Sequence, residues 1–131
     1  MFLRLAMAYL AGAAAFCMLD FLWLGVVARR WYQVRLASLM LPSPRLGVAA
    51  LFYGVYLAGL VLFGVWPAMR SGSWPDALWW GGLYGFFTYF TYDMVNLATL
   101  REWPVAVACV DVAWGVALNA LACGVAAKVA I

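Results

Sequence analysis

The sequence contains no histidine and few charged residues of either sign. Its 131 residues include eight lysines and arginines against five aspartates and glutamates, which gives a formal net charge of +3. Without histidine, neither a Ser-His nor a Cys-His catalytic pair can form. Charged residues make up 10% of the chain, against roughly 25% in soluble domains, so the composition excludes an ordinary soluble domain.

Cysteines and cofactor motifs are also scarce. The three cysteines, Cys17, Cys109 and Cys123, lie inside apolar stretches and are odd in number. We therefore interpret them as small apolar packing residues and not as a disulfide framework. The sequence has no phosphate-binding glycine loop, and we expect no cofactor and no metal.

Long apolar stretches make up most of the chain, in which apolar residues account for 69%. Four stretches of 24 or 25 residues lie between charged boundary residues, and single aspartates interrupt three of them. A bilayer core about 30 Å thick needs roughly 20 apolar residues of helix. The sequence predicts an all-α polytopic membrane protein, a single domain over residues 1–131. Its four-transmembrane-helix bundle has spans at about 5–28, 46–69, 75–100 and 103–127.

The first connection, from Arg29 to Arg45, predicts a short interfacial helix because its apolar residues recur at helical spacing before Pro42. The basic residues lie at span ends, so we interpret them as topology signals and expect no nucleic-acid surface. The first and third connections hold five of them and the other side holds three. The five are Arg29, Arg30, Arg35, Arg45 and Arg101, and the three are Arg4, Arg70 and Lys128. This bias predicts that the long loop is cytoplasmic and that both termini are external.

The three aspartates within spans, Asp20, Asp93 and Asp111, lie at matching depths. Each is eight or nine residues from a charged residue of the first or third connection, and Tyr53 of the second span lies at the same level. An acid at a helix centre costs about 2.5–3.5 kcal/mol on insertion scales, and no cation lies within any span. The sequence therefore predicts one interior layer in which protons are shared or a cation is bound.

Further polar residues accompany these acids. Gly81, Gly85, Tyr89 and Asp93 recur at intervals of four, followed by Asn96, which predicts a close neighbouring helix and a carboxyl oriented by Tyr89 and Asn96. The first and fourth spans share an Asp-x-x-Trp pattern, a weak repeat suggestive of inverted symmetry. The candidate proton- or ligand-binding residues are Asp20, Asp93, Asp111, Asn96, Tyr53, Tyr89, Trp23, Trp114 and Asn119.

Several of these segments carry a resemblance to a known family. They are Leu19-Asp20 with Trp23-Leu24-Gly25, Tyr92-Asp93 with Asn96 and Ala98-Thr99-Leu100, Trp103-Pro104, and Asp111 with Trp114-Gly115. Together they resemble small bacterial membrane proteins known as domain of unknown function 2177. The resemblance implies a four-helix protein of the bacterial inner membrane. It also implies a lipid-linked role, through association with enzymes that modify fatty acyl chains.

Three functional hypotheses stay open at this point. The first is a proton- or cation-linked binding or transport site in a homo-oligomer surrounded by membrane lipid. The second is a membrane enzyme or accessory in fatty-acyl modification, although Tyr92-Asp93 lacks the Gly-x-Gly-Asp partner that intramembrane aspartyl proteases use. The third is a structural subunit of a larger membrane complex, whose acids only hold helices together.

Overall fold

The computed structural model describes all 131 residues and consists of helices without any strand. We number the helices α1 to α5 in chain order and treat Leu46–Ser71 as one continuous helix. They are α1 (Phe2–Val27), α2 (Arg29–Arg35), α3 (Leu46–Ser71), α4 (Asp76–Thr99) and α5 (Val105–Ala130). The prediction of an all-α fold is confirmed.

Three helices, α1, α3 and α5, are each 26 residues long and apolar enough to cross a membrane. Helix α4 has 24 residues, but its glycines, threonines, tyrosines and tryptophans make it less apolar than the other three. The predicted count of four spans is therefore not confirmed, whereas three of the four predicted stretches do have the length and hydropathy of a span.

Two of the long helices contain π-helical turns, at Trp23–Val27 and at Leu60–Val65. The second turn precedes Pro67, which has no N–H to donate and whose ring would collide with the preceding turn of a regular helix. Widening the helix locally removes that conflict. The first turn is closed by the Ala28 amide, which donates to the Trp23 carbonyl at 2.7 Å.

The predicted helix of the first connection is present, but it ends earlier than the apolar spacing indicated. Helix α2 stops at Arg35, and the chain continues as hydrogen-bonded turns in which Leu39 and Met40 both donate to the Leu36 carbonyl. The Ser38 hydroxyl donates to the Glu102 carboxylate at 2.6 Å. This bond ties the turns to the connection between α4 and α5, so α2 lies across the end of the bundle.

Helices α4 and α5 pack more closely than any other pair because glycines line their contact. A Cβ atom at Gly81 or Gly85 would collide with the backbone carbonyl of Asn119 or Gly115, respectively. Gly115 in turn lies directly against the Tyr89 ring. The predicted close approach along the glycine face of α4 is confirmed, and the neighbour is α5.

Helix α3 packs unevenly along its length. Its second half contacts α4 and α5, but its first half leaves Leu46, Leu51 and Val55 largely exposed and has little contact with α1. Tyr56 makes the contacts of α3 with α4 that lie nearest to α2: its carbonyl accepts from the Tyr84 hydroxyl at 2.9 Å, and its hydroxyl lies 3.1 Å from the Thr88 hydroxyl. Between these contacts and α2, a gap separates α3 from α4.

Substituting Gly85 with alanine should destabilise the protein by about 1–3 kcal/mol, because the added methyl group would push α4 away from the Gly115 carbonyl. Gly54→Ala is the matched control, since nothing lies within 4 Å of its added Cβ. Thermal unfolding in detergent should show a lower Tm for Gly85→Ala alone. Equal Tm values for the two variants would contradict the described packing.

Candidate functional site

A cleft of about 920 Å³ lies between the helices beneath the Tyr56–Tyr84 contact. Twelve of its sixteen lining residues are hydrophobic, and α1 to α5 all contribute to the wall. Two carboxyl groups, those of Asp20 and Asp111, face into it. The cleft is therefore a mainly apolar space with an acidic wall, a composition typical of small-molecule sites.

Asp20 is buried, and both of its oxygens accept hydrogen bonds from other helices. The Tyr53 hydroxyl of α3 donates to Oδ2 at 2.9 Å, and the Trp114 indole of α5 donates to Oδ1 at 3.2 Å. The predicted placement of Tyr53 at the level of Asp20 agrees with this contact. The Asp20–Tyr53 pair also borders a smaller groove of about 400 Å³ beside α1.

Asp111 is reached by a side chain of α2. The Tyr32 hydroxyl donates to Asp111 Oδ1 at 3.1 Å, and the Trp23 indole donates to the Tyr32 oxygen at 3.3 Å. Burial raises the pKa of the Tyr32 phenol, so Tyr32 stays a neutral O–H donor near pH 7. Helix α2 thereby contributes directly to the acid layer.

The Asp-x-x-Trp segments of α1 and α5 pack against each other, and each indole bonds to a side chain of another helix. Trp23 and Trp114 stack at a centroid distance of 4.7 Å and an interplanar angle of 12°. Neither indole donates to the acid of its own helix. Trp114 donates to Asp20 of α1, while Trp23 reaches Asp111 only through Tyr32. Side chains on the shared face of α1 and α5 point across the contact and not along their own helix.

Asp93 is fully buried, and neither of its oxygens has a hydrogen-bond partner. Its polar neighbours are Asp111 and the Trp103 indole, whose N–H is likewise unpartnered. Asp93 does not line the cleft itself but lies directly behind Asp111, which does. The close packing of α4 on α5 holds Asp93 behind Asp111, and the three carboxyls do not converge on a metal-sized point.

Tyr89 and Asn96 do not hydrogen-bond to the Asp93 carboxyl, contrary to the prediction. Helical side chains lean toward the N-terminal turn, which directs the Tyr89 ring away from Asp93. Tyr89 lies against Gly115 and lines the cleft. Asn96 leans back in the same way and neighbours Tyr92.

Asn119 belongs to a separate buried polar cluster. Its Oδ1 accepts from the Tyr56 hydroxyl at 2.9 Å, and its amide donates to the Gly115 carbonyl at 2.7 Å. The Thr88 hydroxyl lies 3.1 Å from the same Tyr56 oxygen. These bonds join α3, α4 and α5 on the side of the acid layer away from α2. Asn119 therefore supports the cleft without facing Asp111.

Sequence reasoning missed Tyr32, Tyr56 and Trp103. Both Tyr32 and Trp103 lie at predicted span ends, where aromatic rings usually face the membrane surface, yet Tyr32 is 8% exposed and both line the cleft. One signal could have identified Tyr32, since it lies on the apolar face that the spacing of α2 predicts. A phenol on that face must turn toward the bundle. Tyr56 is one turn from Tyr53 on the same face of α3, and that spacing was also available.

The sequence profile of one family, described as predicted membrane protein (DUF2177), matches residues 5–128. The chain therefore belongs to that family, which confirms the resemblance carried by the acid-bearing segments. No curated protein matches it. No solved structure matches it either.

The indole contacts between helices make a specific prediction for double-mutant cycles. Trp114→Phe keeps an aromatic ring but removes the donor to Asp20, so it should couple to Asp20→Ala by about 0.5–3 kcal/mol. Trp114→Phe should couple more weakly to Asp111→Ala, because no hydrogen bond joins the Trp114 indole to Asp111. Unfolding in mixed micelles would measure all the variants. A larger coupling to Asp111 than to Asp20 would contradict the described hydrogen bonds.

Proposed function

We propose that this chain is a four-span membrane protein whose Asp20, Asp93 and Asp111 form a proton- or cation-linked binding site. The observation that carries the proposal is the Asp93 carboxyl, fully buried beside Asp111 with both oxygens unpartnered. No lysine, arginine or histidine lies inside the four apolar stretches. The charge of this cluster is therefore balanced only by protons or by a bound cation.

The four-span topology rests on the positions of the two chain ends. The Arg4 side chain donates to the Ala130 carbonyl at 2.8 Å, so α1 begins where α5 ends. Ends on the same side of a membrane require an even number of crossings, and α4 supplies the fourth. Its 24 residues extend about 36 Å at about 1.5 Å per residue, enough for a core of about 30 Å.

We further propose that α2 lies at the cytoplasmic surface of a bacterial inner membrane, with both termini periplasmic. The basic residues of α2 and Arg101 lie at the end of the bundle opposite Arg4. Cytoplasmic loops carry an excess of arginine and lysine, which supports this orientation.

The hydrogen bonds favour a binding site over a purely structural role for the acids. A hydrogen bond to a charged group contributes about 1.5–3 kcal/mol, comparable to the about 2.5–3.5 kcal/mol cost of an acid in the membrane. Asp20 has two such bonds and Asp111 has one, but Asp93 has none. Asp93 instead lies beside a second carboxyl, that of Asp111, and accepts no hydrogen bond of ordinary geometry, an arrangement that joining helices does not require.

Dicyclohexylcarbodiimide, an apolar reagent that couples to protonated carboxyl groups, tests the site. We expect mass spectrometry to find coupling at the membrane aspartates, and we expect methylamine and rising pH to suppress it. Asp76 and Glu102, which lie outside the apolar stretches, serve as internal references. Coupling that is insensitive to both pH and methylamine would overturn the proposal.

Asp93→Asn separates a binding role from a structural one. An amide replaces a protonated carboxyl with little change in volume, so the variant should keep a wild-type Tm. It should nevertheless lose methylamine protection at Asp111, because Asp93 no longer contributes charge beside it. Asp76→Asn, the same change outside the cluster, should keep full protection. Wild-type protection in Asp93→Asn would show that this acid is structural.

A further inference from the structure

We infer, on the basis of the proposed function, that the ligand is an amphiphile with a protonated primary amine and a hydrocarbon chain. The amine lies at the acid layer. The chain lies in the gap between α3 and α4, through which the ligand arrives sideways from the bilayer.

The size and lining of the cleft indicate an apolar ligand body. A proton or a bare cation needs a few oxygens and almost no space, whereas this cleft measures about 920 Å³ and is mostly hydrophobic. Sites of about 300–1,000 Å³ hold whole small molecules. The aromatic rings of Phe16, Phe52 and Phe87 form much of the wall, which suits a hydrocarbon chain.

The opening of the cleft faces the bilayer. Phe52 and Phe87, on the facing sides of α3 and α4, both line the cleft and are 53% and 63% exposed. The two helices diverge here, below the bond from Tyr84 to Tyr56. In a four-span protein, exposed apolar side chains at this depth contact acyl chains.

The end of the cleft nearest the basic surface is closed. Tyr32, Ala28 and Val107 pack into a small buried cluster there, and Trp31, Leu36 and Trp103 cover it. Tyr32 is also fixed by its bond to Asp111. A ligand from the aqueous side would have to displace this cluster, whereas a ligand dissolved in the bilayer meets the open gap.

The charge and the free acceptors of the cleft specify an amine headgroup. Asp111 Oδ2 accepts no hydrogen bond, Asp93 adds a second acid directly behind it, and no cation offsets the cluster. A primary ammonium group carries one positive charge and three N–H donors, as a lysine side chain does. The rings of Tyr53, Tyr56 and Tyr89 line the same space and can stabilise a cation by cation–π contact. An alcohol lacks the charge, and a quaternary ammonium lacks the donors.

Native mass spectrometry of the full chain released from detergent can count bound molecules of four probes. The probes are dodecylamine, dodecanol, dodecyltrimethylammonium and butylamine. We expect one dodecylamine per chain, bound at least about tenfold more tightly than dodecanol, because charge-assisted hydrogen bonds are the stronger ones. Butylamine should bind at least about tenfold more weakly, because it lacks the chain that fills the gap.

Two pairs of variants locate the bound molecule. Asp111→Asn should weaken dodecylamine binding about tenfold or more, while Asp76→Asn should not. Thr91→Trp should reduce dodecylamine binding because Thr91 lines the open side of the cleft, and Phe90→Trp, one residue away and outside the cleft, should not. Methylamine protection of the aspartates should persist in Thr91→Trp.

The outcomes distinguish this inference from the proposed function. Equal binding of dodecylamine and dodecanol, or equal binding of the long and short amines, would overturn the amphiphilic amine. Tighter binding of dodecyltrimethylammonium would also overturn it, since that probe offers no N–H donor. If methylamine still protects the aspartates in those cases, the cation site stands without this ligand. If dodecylamine binding shows no selectivity and methylamine gives no protection, both proposals are wrong.

Discussion

The close approach of α4 and α5 at Gly85 and Gly115 determines where the polar groups of the candidate site lie. Because no side chain separates the two backbones there, Asp93 is sealed behind Asp111 and the Tyr89 ring is pressed toward the cleft. The first half of α3 does not pack into this contact and diverges from α4. The same packing thus buries one acid completely and leaves open the space that the other two acids face.

Hydrogen bonds across helices then divide the acids into two kinds. Asp20 and Asp111 are held by donors from α2, α3 and α5, and these bonds offset much of the cost of burying them. Asp93 makes no such bond and is sensitive to whatever balances its charge. A proton or ligand cation at Asp111 would be felt at Asp93 directly, because the two carboxyls are neighbours.

The sequence predicted the features that follow from periodicity and composition. Those are the helical fold, the three most apolar stretches, the glycine contact, and the common depth of Asp20 and Tyr53. It did not predict which side chain each indole bonds to, because Asp-x-x-Trp spacing fixes a helix face but not which neighbour that face meets. Tyr32 was missed for a related reason, since its role depends on where α2 lies across the bundle end. The hydropathy of α4 is lowered by the glycines and hydroxyl groups that build the site, which is why its span was not confirmed.

The most direct test is carbon-13 nuclear magnetic resonance of the aspartate carboxyl groups in lipid bilayers. The chain has only four aspartates, and Asp76 lies outside the cluster as an internal reference. Single Asp→Asn variants assign the signals. The account predicts that dodecylamine shifts the Asp93 and Asp111 carboxyl signals together and leaves Asp76 unchanged. If the Asp20, Asp93 and Asp111 signals stay fixed when dodecylamine is added, and also when pH is varied, the buried acids bind neither protons nor cations and the central claim is wrong.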